Sequence, residues 1–162
     1  MELKIGKDSV IINDFDELEV YKIAMRIELD GEKFYKSVIS LTDNPKIKRT
    51  FQRLAEDEQR HFETFNGLFQ TELRARGIDP ASMDREEGLF DYIDTGIFTK
   101  NTSAKSVKDA VMDGEIAELR SILFYKELLS NTKNDGGRRA LSDMIEEENM
   151  HYNILKSWEG SV

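Results

Sequence analysis

The sequence predicts an all-α fold: a four-helix bundle made of two αα-hairpins joined by one long crossover. Three observations carry this. Four stretches of the 162-residue chain place apolar residues alternately three and four apart, the period of an amphipathic helix. The second half repeats the first at an offset of 90 residues. Glu28, Leu29, Phe34-Tyr35 and Glu58-x-x-His61 are thus matched by Glu118, Leu119, Phe124-Tyr125 and Glu148-x-x-His151. Finally, both histidines of the chain close that same Glu-x-x-His motif, on the inward stripe of their helices.

Residues 1–14 read as an N-terminal extension, short, mixed in polarity and peripheral, and residues 15–162 as the bundle. The first helix carries Leu18, Tyr21, Met25, Glu28, Glu32, Tyr35 and Ile39 on one face. Asp43-Asn44-Pro45 supplies a cap and a first-turn proline for the second, which presents Ile47, Phe51, Leu54, Glu58, His61, Phe65 and Leu68. Gly77 marks its C-terminal cap. A crossover of about 27 residues runs to Ser103, the expected cap of the third helix, and a short helix is expected within it at Arg85–Ile93. The third helix presents Val107, Val111, Gly114, Glu118, Ile122, Tyr125 and Leu129. Asn131–Gly137 reads as the last turn. Its Gly136-Gly137 pair lacks the spacing and lysine of a phosphate loop. The fourth helix presents Leu141, Met144, Glu148, His151 and Leu155 and ends near Gly160, with Trp158 as its anchor. Phe51, Phe62, Phe65, Phe69 and the methionines are expected in packing roles.

A net charge of −9 argues against general affinity for nucleic acid or for anionic membranes, both of which reward basic patches. The absence of cysteine removes disulfides, thiolate-bound zinc, iron–sulfur clusters and thiol nucleophiles. No apolar run of transmembrane length and no signal-peptide pattern is present, so a cytoplasmic protein is expected.

Glu28, Glu58, His61, Glu118, Glu148 and His151 fall on inward stripes, where an unpaired charge is costly. A solvated acidic face would put its glutamates on the other side. Glu and His three apart share a helix face and can reach one ion. Heights agree as well. The midpoint of Glu28 and Glu58 is residue 43, that of Glu118 and Glu148 is residue 133, and both fall in predicted turns. Both pairs therefore lie roughly 22 Å from their turns at 1.5 Å per residue, level with each other. Chance placement would have to explain the repeated spacing, the inward phase and the use of every histidine. Carboxylates with imidazole favour iron, manganese or zinc. One long central crossover is the ferritin-like bundle. Its di-iron and di-manganese members draw a Glu from each of two helices and Glu-x-x-His from the other two.

From about Phe15 to Trp158 the chain resembles the rubrerythrin and bacterioferritin branch of the ferritin-like superfamily. Glu28-Leu-Asp-Gly-Glu-Lys-Phe-Tyr35 matches the first-helix Glu with its Tyr seven residues on. The resemblance implies that Glu28 and His61 serve one metal, that Glu118 and His151 serve the other, and that Glu58 and Glu148 bridge both. Asp57-Glu58-Gln59-Arg60-His61 also resembles the D-E-x-R-H element of di-iron carboxylate oxygenases. This implies that Asp57 accepts from His151, and Glu147 correspondingly from His61. Tyr35 and Tyr125 are expected beside the metals as candidate catalytic residues, hydrogen-bonded to the carboxylates. Full rubrerythrins carry one more Glu a turn after the third-helix ligand, where this chain has Ser121, so Glu115 or Glu32 is left to supply a seventh carboxylate. Without a cysteine-rich rubredoxin module, the chain resembles the shorter members.

The activity this implies is reduction of hydrogen peroxide or dioxygen at two iron ions, with manganese or mixed occupancy as alternatives. Electrons would come from an external donor protein, and the expected assembly is a homodimer. Ferritin-like iron oxidation and storage, or an interaction bundle with a vestigial site, are the alternatives. The scaffold alone does not choose among them.

Overall fold

The computed structural model describes residues 2–6, 9–82, 95–98, 106–158 and 160. Its elements in order are β1 (Glu2–Ile5), β2 (Val10–Asn13), α1 (Glu17–Ile39), α2 (Pro45–Ala75), a 3-10 turn (Pro80–Ser82), α3 (Val107–Asn131) and α4 (Asp135–Trp158). The helices pack as two antiparallel pairs, α1 with α2 and α3 with α4, and α1 also meets α3 while α2 meets α4.

Side chains and backbone end each helix where the sequence supplies caps. Asp16 opens α1 by accepting from the Glu19 amide at 3.1 Å, and its other oxygen takes Arg76 Nη1 at 2.8 Å, tying the end of α2 to the start of α1. Asn44 caps α2 through the Lys46 and Ile47 amides, with Pro45 in the first turn. At the far end, Gly77 adopts φ 74°, and Ile78 N and Gly77 N donate to Leu73 O and Arg74 O. That Schellman pattern needs a left-handed residue, which glycine supplies without a Cβ clash.

Three boundaries differ from the sequence expectation. Ser106 caps α3, its hydroxyl accepting from the Asp109 amide at 3.1 Å, and Ser103 lies outside the described residues, as does the helix expected at Arg85–Ile93. The last turn is only Thr132–Asn134, and Gly136-Gly137 belongs to the first turn of α4. Asn134 caps that turn by accepting from Gly137 N at 3.0 Å. A Cβ at Gly137 would sit 3.1 Å from both Thr132 Cγ2 and the Tyr21 hydroxyl, so close packing, not a loop, calls for glycine there.

The third difference is the N-terminal segment. It forms an antiparallel hairpin with Glu2 opposite Asn13 and Ile5 opposite Val10, and β2 lies against α3. Strand alternation turns Val10 and Ile12 into the core and leaves Ile11 outside. Within the bundle, Phe51, Phe65, Phe124, Leu54, Leu128 and Leu141 are fully buried, while Phe62 is only partly so. Among the described residues, no helix is long and apolar enough to cross a membrane. Ile12→Ala should cost about 2 kcal/mol in urea unfolding, as a buried aliphatic truncation does. Ile11→Ala, at an exposed position on the same strand, should stay within about 0.5 kcal/mol.

Candidate metal centre

Glu28, Glu58, His61, Glu118, Glu148 and His151, one from each of α1 and α3 and two from each of α2 and α4, meet at mid-bundle with exposures of 2 % or less. They form two groups that could each hold an ion, Glu28/Glu58/His61/Glu148 and Glu58/Glu118/Glu148/His151. Glu58 and Glu148 belong to both. Each turns one oxygen toward either imidazole. Glu58 Oε2 is 3.6 Å from His61 Nδ1 and its Oε1 is 3.3 Å from His151 Nδ1. Glu148 Oε1 and Oε2 stand 3.3 and 3.2 Å from the same two nitrogens. Glu28 Oε2 faces only His61, at 3.3 Å, and Glu118 Oε1 faces only His151, at 3.7 Å. The rings stack with centroids 5.4 Å apart.

These separations suit metal ions. Donor atoms bound at about 2.0–2.2 Å to one ion stand about 3.0–3.6 Å apart. The donors are also unclaimed. Glu28 Oε2, Glu58 Oε1, Glu118 Oε2, Glu148 Oε2 and both Nδ1 atoms are buried without a hydrogen-bond partner. Orphaned buried acceptors of this kind are rare unless something absent from the protein chain satisfies them.

The outward-facing atoms, in contrast, are engaged. His151 Nε2 lies 3.3 Å from Asp57 Oδ2 and His61 Nε2 lies 3.0 Å from Glu147 Oε2, which leaves Nδ1 of each ring aimed inward. Arg60, to which the sequence assigned no role, donates to Asp57 and, at 3.4 Å, to Glu147, so one guanidinium steadies both. Burial works to raise the Asp57 pKa, but hydrogen bonds from His151 and Arg60 outweigh it and hold it at about 2. Tyr35 donates to Glu118 Oε1 and Tyr125 to Glu28 Oε1, each crossing between α1 and α3. Burial first, then the neighbouring carboxylate charge, pushes both phenols well above their usual range, so both remain donors.

Glu32 and Glu115 stand apart from both groups. Glu32 pairs with Lys36 one turn on, and Glu115 approaches Lys156 at 3.8 Å. That contact engages Glu115 Oε2, while its Oε1 is buried without a hydrogen-bond partner. Sequence reasoning also passed over Gly31 and Phe98. A Cβ at Gly31 would lie 3.2 Å from Glu58 Cδ and 3.1 Å from Phe98 Cζ. The signal for Gly31 was there, since it stands opposite Ser121 where the 90-residue repeat breaks. Phe98 had none.

With this geometry in hand, comparison with known proteins is decisive on one point. The family model for rubrerythrin matches residues 19–159. The chain belongs to the rubrerythrin family. A Thermotoga maritima crystal structure, described as that of a ferritin-like diiron-carboxylate protein, has the same fold. Its TM-score is 0.68 at 22 % identity, over 92 % of this chain and 97 % of that one. Comparison with curated proteins finds no match. The rubrerythrin family and the Glu/His cluster together fit a di-iron protein.

Without metal, protons balance the centre. Burial, then repulsion from Glu58 and Glu148 respectively, raises Glu28 and Glu118 well above the carboxylate range. Burial opposes the imidazolium charge, yet the surrounding carboxylates raise both histidines. Glu58 and Glu148 stay ionised because hydrogen bonds and the imidazolium charges outweigh their burial. The raised groups thus favour their protonated forms, and divalent ions must compete with those protons. Loading metal should therefore release protons. Apparent affinity should accordingly rise with pH, read as heat differences among buffers of unlike ionisation enthalpy. Asp57→Ala and Glu147→Ala should each weaken metal binding about 10–100-fold in a competition titration.

Proposed function

We propose that this protein is a di-iron oxidoreductase that reduces hydrogen peroxide with electrons from an external donor protein. The observation that carries the reading is the pair of four-residue groups sharing Glu58 and Glu148, buried beneath two tyrosine donors. Glu28 and His61 would hold one iron, Glu118 and His151 the other, and Glu58 and Glu148 both. Iron held there in the ferrous state would supply the two electrons that, with two protons, convert hydrogen peroxide into two waters.

The protein's own part is positional. Asp57 and Glu147 take the Nε2 protons of the imidazoles and so leave Nδ1 as the inward donor. Tyr35 and Tyr125 each hold one oxygen of a terminal carboxylate, leaving Glu118 Oε2 and Glu28 Oε2 free. The same phenols are proton-bearing groups beside the centre. The two tyrosine–glutamate contacts are buried, which excludes water and strengthens them, while the Asp57 and Glu147 contacts are part-buried. Among the described residues, no cluster suggests a second redox cofactor, which is why the donor is placed outside the chain. An acidic surface, net −9, suits a basic partner.

Anaerobic loading with two ferrous ions per chain, followed by stopped-flow mixing, tests the reading. Oxidation by hydrogen peroxide should outpace oxidation by dioxygen at equal concentration by about tenfold or more. Faster oxidation by dioxygen, together with growth of a ferric mineral in a many-subunit shell, would replace it with iron storage.

A further inference from the structure

The described crossover segment Thr95–Phe98 lies in the groove between α1 and α3. Arg120 Nη1 fastens it there by donating to the Gly96 carbonyl at 3.2 Å. Ile97 and Phe98 are buried, and the Phe98 ring packs on Phe34 with centroids 5.6 Å apart and edge-on to Tyr35 at 6.2 Å. At Gly31, α1 carries no side chain beside the ring. The space that a Cβ would fill there lies 3.1 Å from Phe98 Cζ and 3.2 Å from Glu58 Cδ, so the ring and the shared carboxylate border the same small gap.

Phe98 also walls a pocket of about 180 Å³, together with Phe34, Ile97 and Ala117 and with the charged pair Asp113 and Arg120. Phe34 and Ala117 directly precede Tyr35 and Glu118, the residues whose hydrogen bond spans α1 and α3. The opposite face, between α2 and α4, is closed differently. There the stacked imidazoles sit behind Asp57, Glu147 and Arg60, linked by hydrogen bonds and charge. A ring held only by non-directional contacts yields more readily than that network.

We propose that this pocket is the route by which small uncharged oxidants reach the centre, with Phe98 as the residue that sets the size limit. Hydrogen peroxide passes, and alkyl or aryl hydroperoxides are held out. Each peroxide takes two electrons from the two ferrous ions and two protons. Hydrogen peroxide leaves as two waters, and cumene hydroperoxide as an alcohol and one water. The identity of the oxidant rests on the function proposed above, whereas the route can be tested without it.

The test uses the full chain loaded anaerobically with two ferrous ions, as wild type, Phe98→Ala, Phe98→Leu and, as a core control remote from the pocket, Phe69→Leu. One readout is stripping of ferrous iron by 2,2′-bipyridine, which needs no turnover. The other is the oxidation rate with hydrogen peroxide and with cumene hydroperoxide. Phe98→Ala should accelerate bipyridine stripping and cumene hydroperoxide about tenfold or more, and hydrogen peroxide less than about threefold, with Phe98→Leu between. Unchanged rates for both bulky probes in the two Phe98 variants overturn the route. So does an equal gain in Phe69→Leu, which would mark general loosening. If no peroxide oxidises the wild type, the proposed function fails while the bipyridine ratio still decides the route.

Discussion

Four carboxylates and two imidazoles buried at the middle of a helical bundle form an arrangement that an apolar core does not tolerate by itself. An ionised side chain removed from water must be paired, hydrogen-bonded or bound to a cation. Here the demand is divided in two. Outward-facing atoms are met by the protein: phenols on Glu28 and Glu118, carboxylates on the imidazole Nε2 atoms, and Arg60 across those carboxylates. Glu28 Oε2, Glu58 Oε1, Glu118 Oε2, Glu148 Oε2 and the two Nδ1 atoms are buried without a hydrogen-bond partner. The fold is thus built around a demand that cations answer, and the caps and Schellman turn fix helix ends so that four separate helices deliver donors at one height.

Internal duplication explains how one chain achieves this. The six Glu and His residues, the two tyrosines and the Asp57/Glu147 pair recur 90 residues apart, and the contacts are exchanged rather than merely repeated. Tyr35 serves the carboxylate of the other half and Tyr125 returns it, and Asp57 and Glu147 do likewise for the histidines. Neither hairpin can complete its own half of the centre. Where the symmetry fails is equally informative. Gly31 faces Ser121 across the pseudo-twofold, the one admitting Phe98 against the backbone, the other burying a hydroxyl that has no hydrogen-bond partner. The two four-residue groups thereby acquire unequal surroundings.

Much of this was legible in the sequence because helical periodicity and a fixed offset are strong one-dimensional signals. The inward phase of Glu58 and His61, and midpoints landing on turns, were enough to bring six side chains to one spot. What was missed depends on contacts between distant segments. The hairpin was read as peripheral because four-residue strands carry little pattern, and only the exposed flank of α3 makes burial of Val10 and Ile12 worthwhile. Gly136-Gly137 resembles a turn locally, yet Tyr21 and Thr132 require its small size inside a helix. The ion pairs of Glu32 with Lys36 and of Glu115 with Lys156 likewise depend on side-chain placement that the sequence pattern does not carry.

Such a centre does not by itself choose a reaction, since the same carboxylates and imidazoles serve oxidases, oxygenases and iron stores on this scaffold. Selection must come from what lies around them. On the α2–α4 side a network of Asp57, Glu147 and Arg60 is hydrogen-bonded to the imidazoles. On the α1–α3 side one aromatic ring, Phe98, lies beside Gly31 and edge-on to the Tyr35 donor. A reactant arriving there meets proton-bearing groups and the shared carboxylate together. A pocket of about 180 Å³ walled by Phe34, Ile97 and Phe98 suits a small oxidant better than a bulky one. The crossover, which distinguishes this bundle from a simple up-and-down one, thereby carries specificity as well as connection.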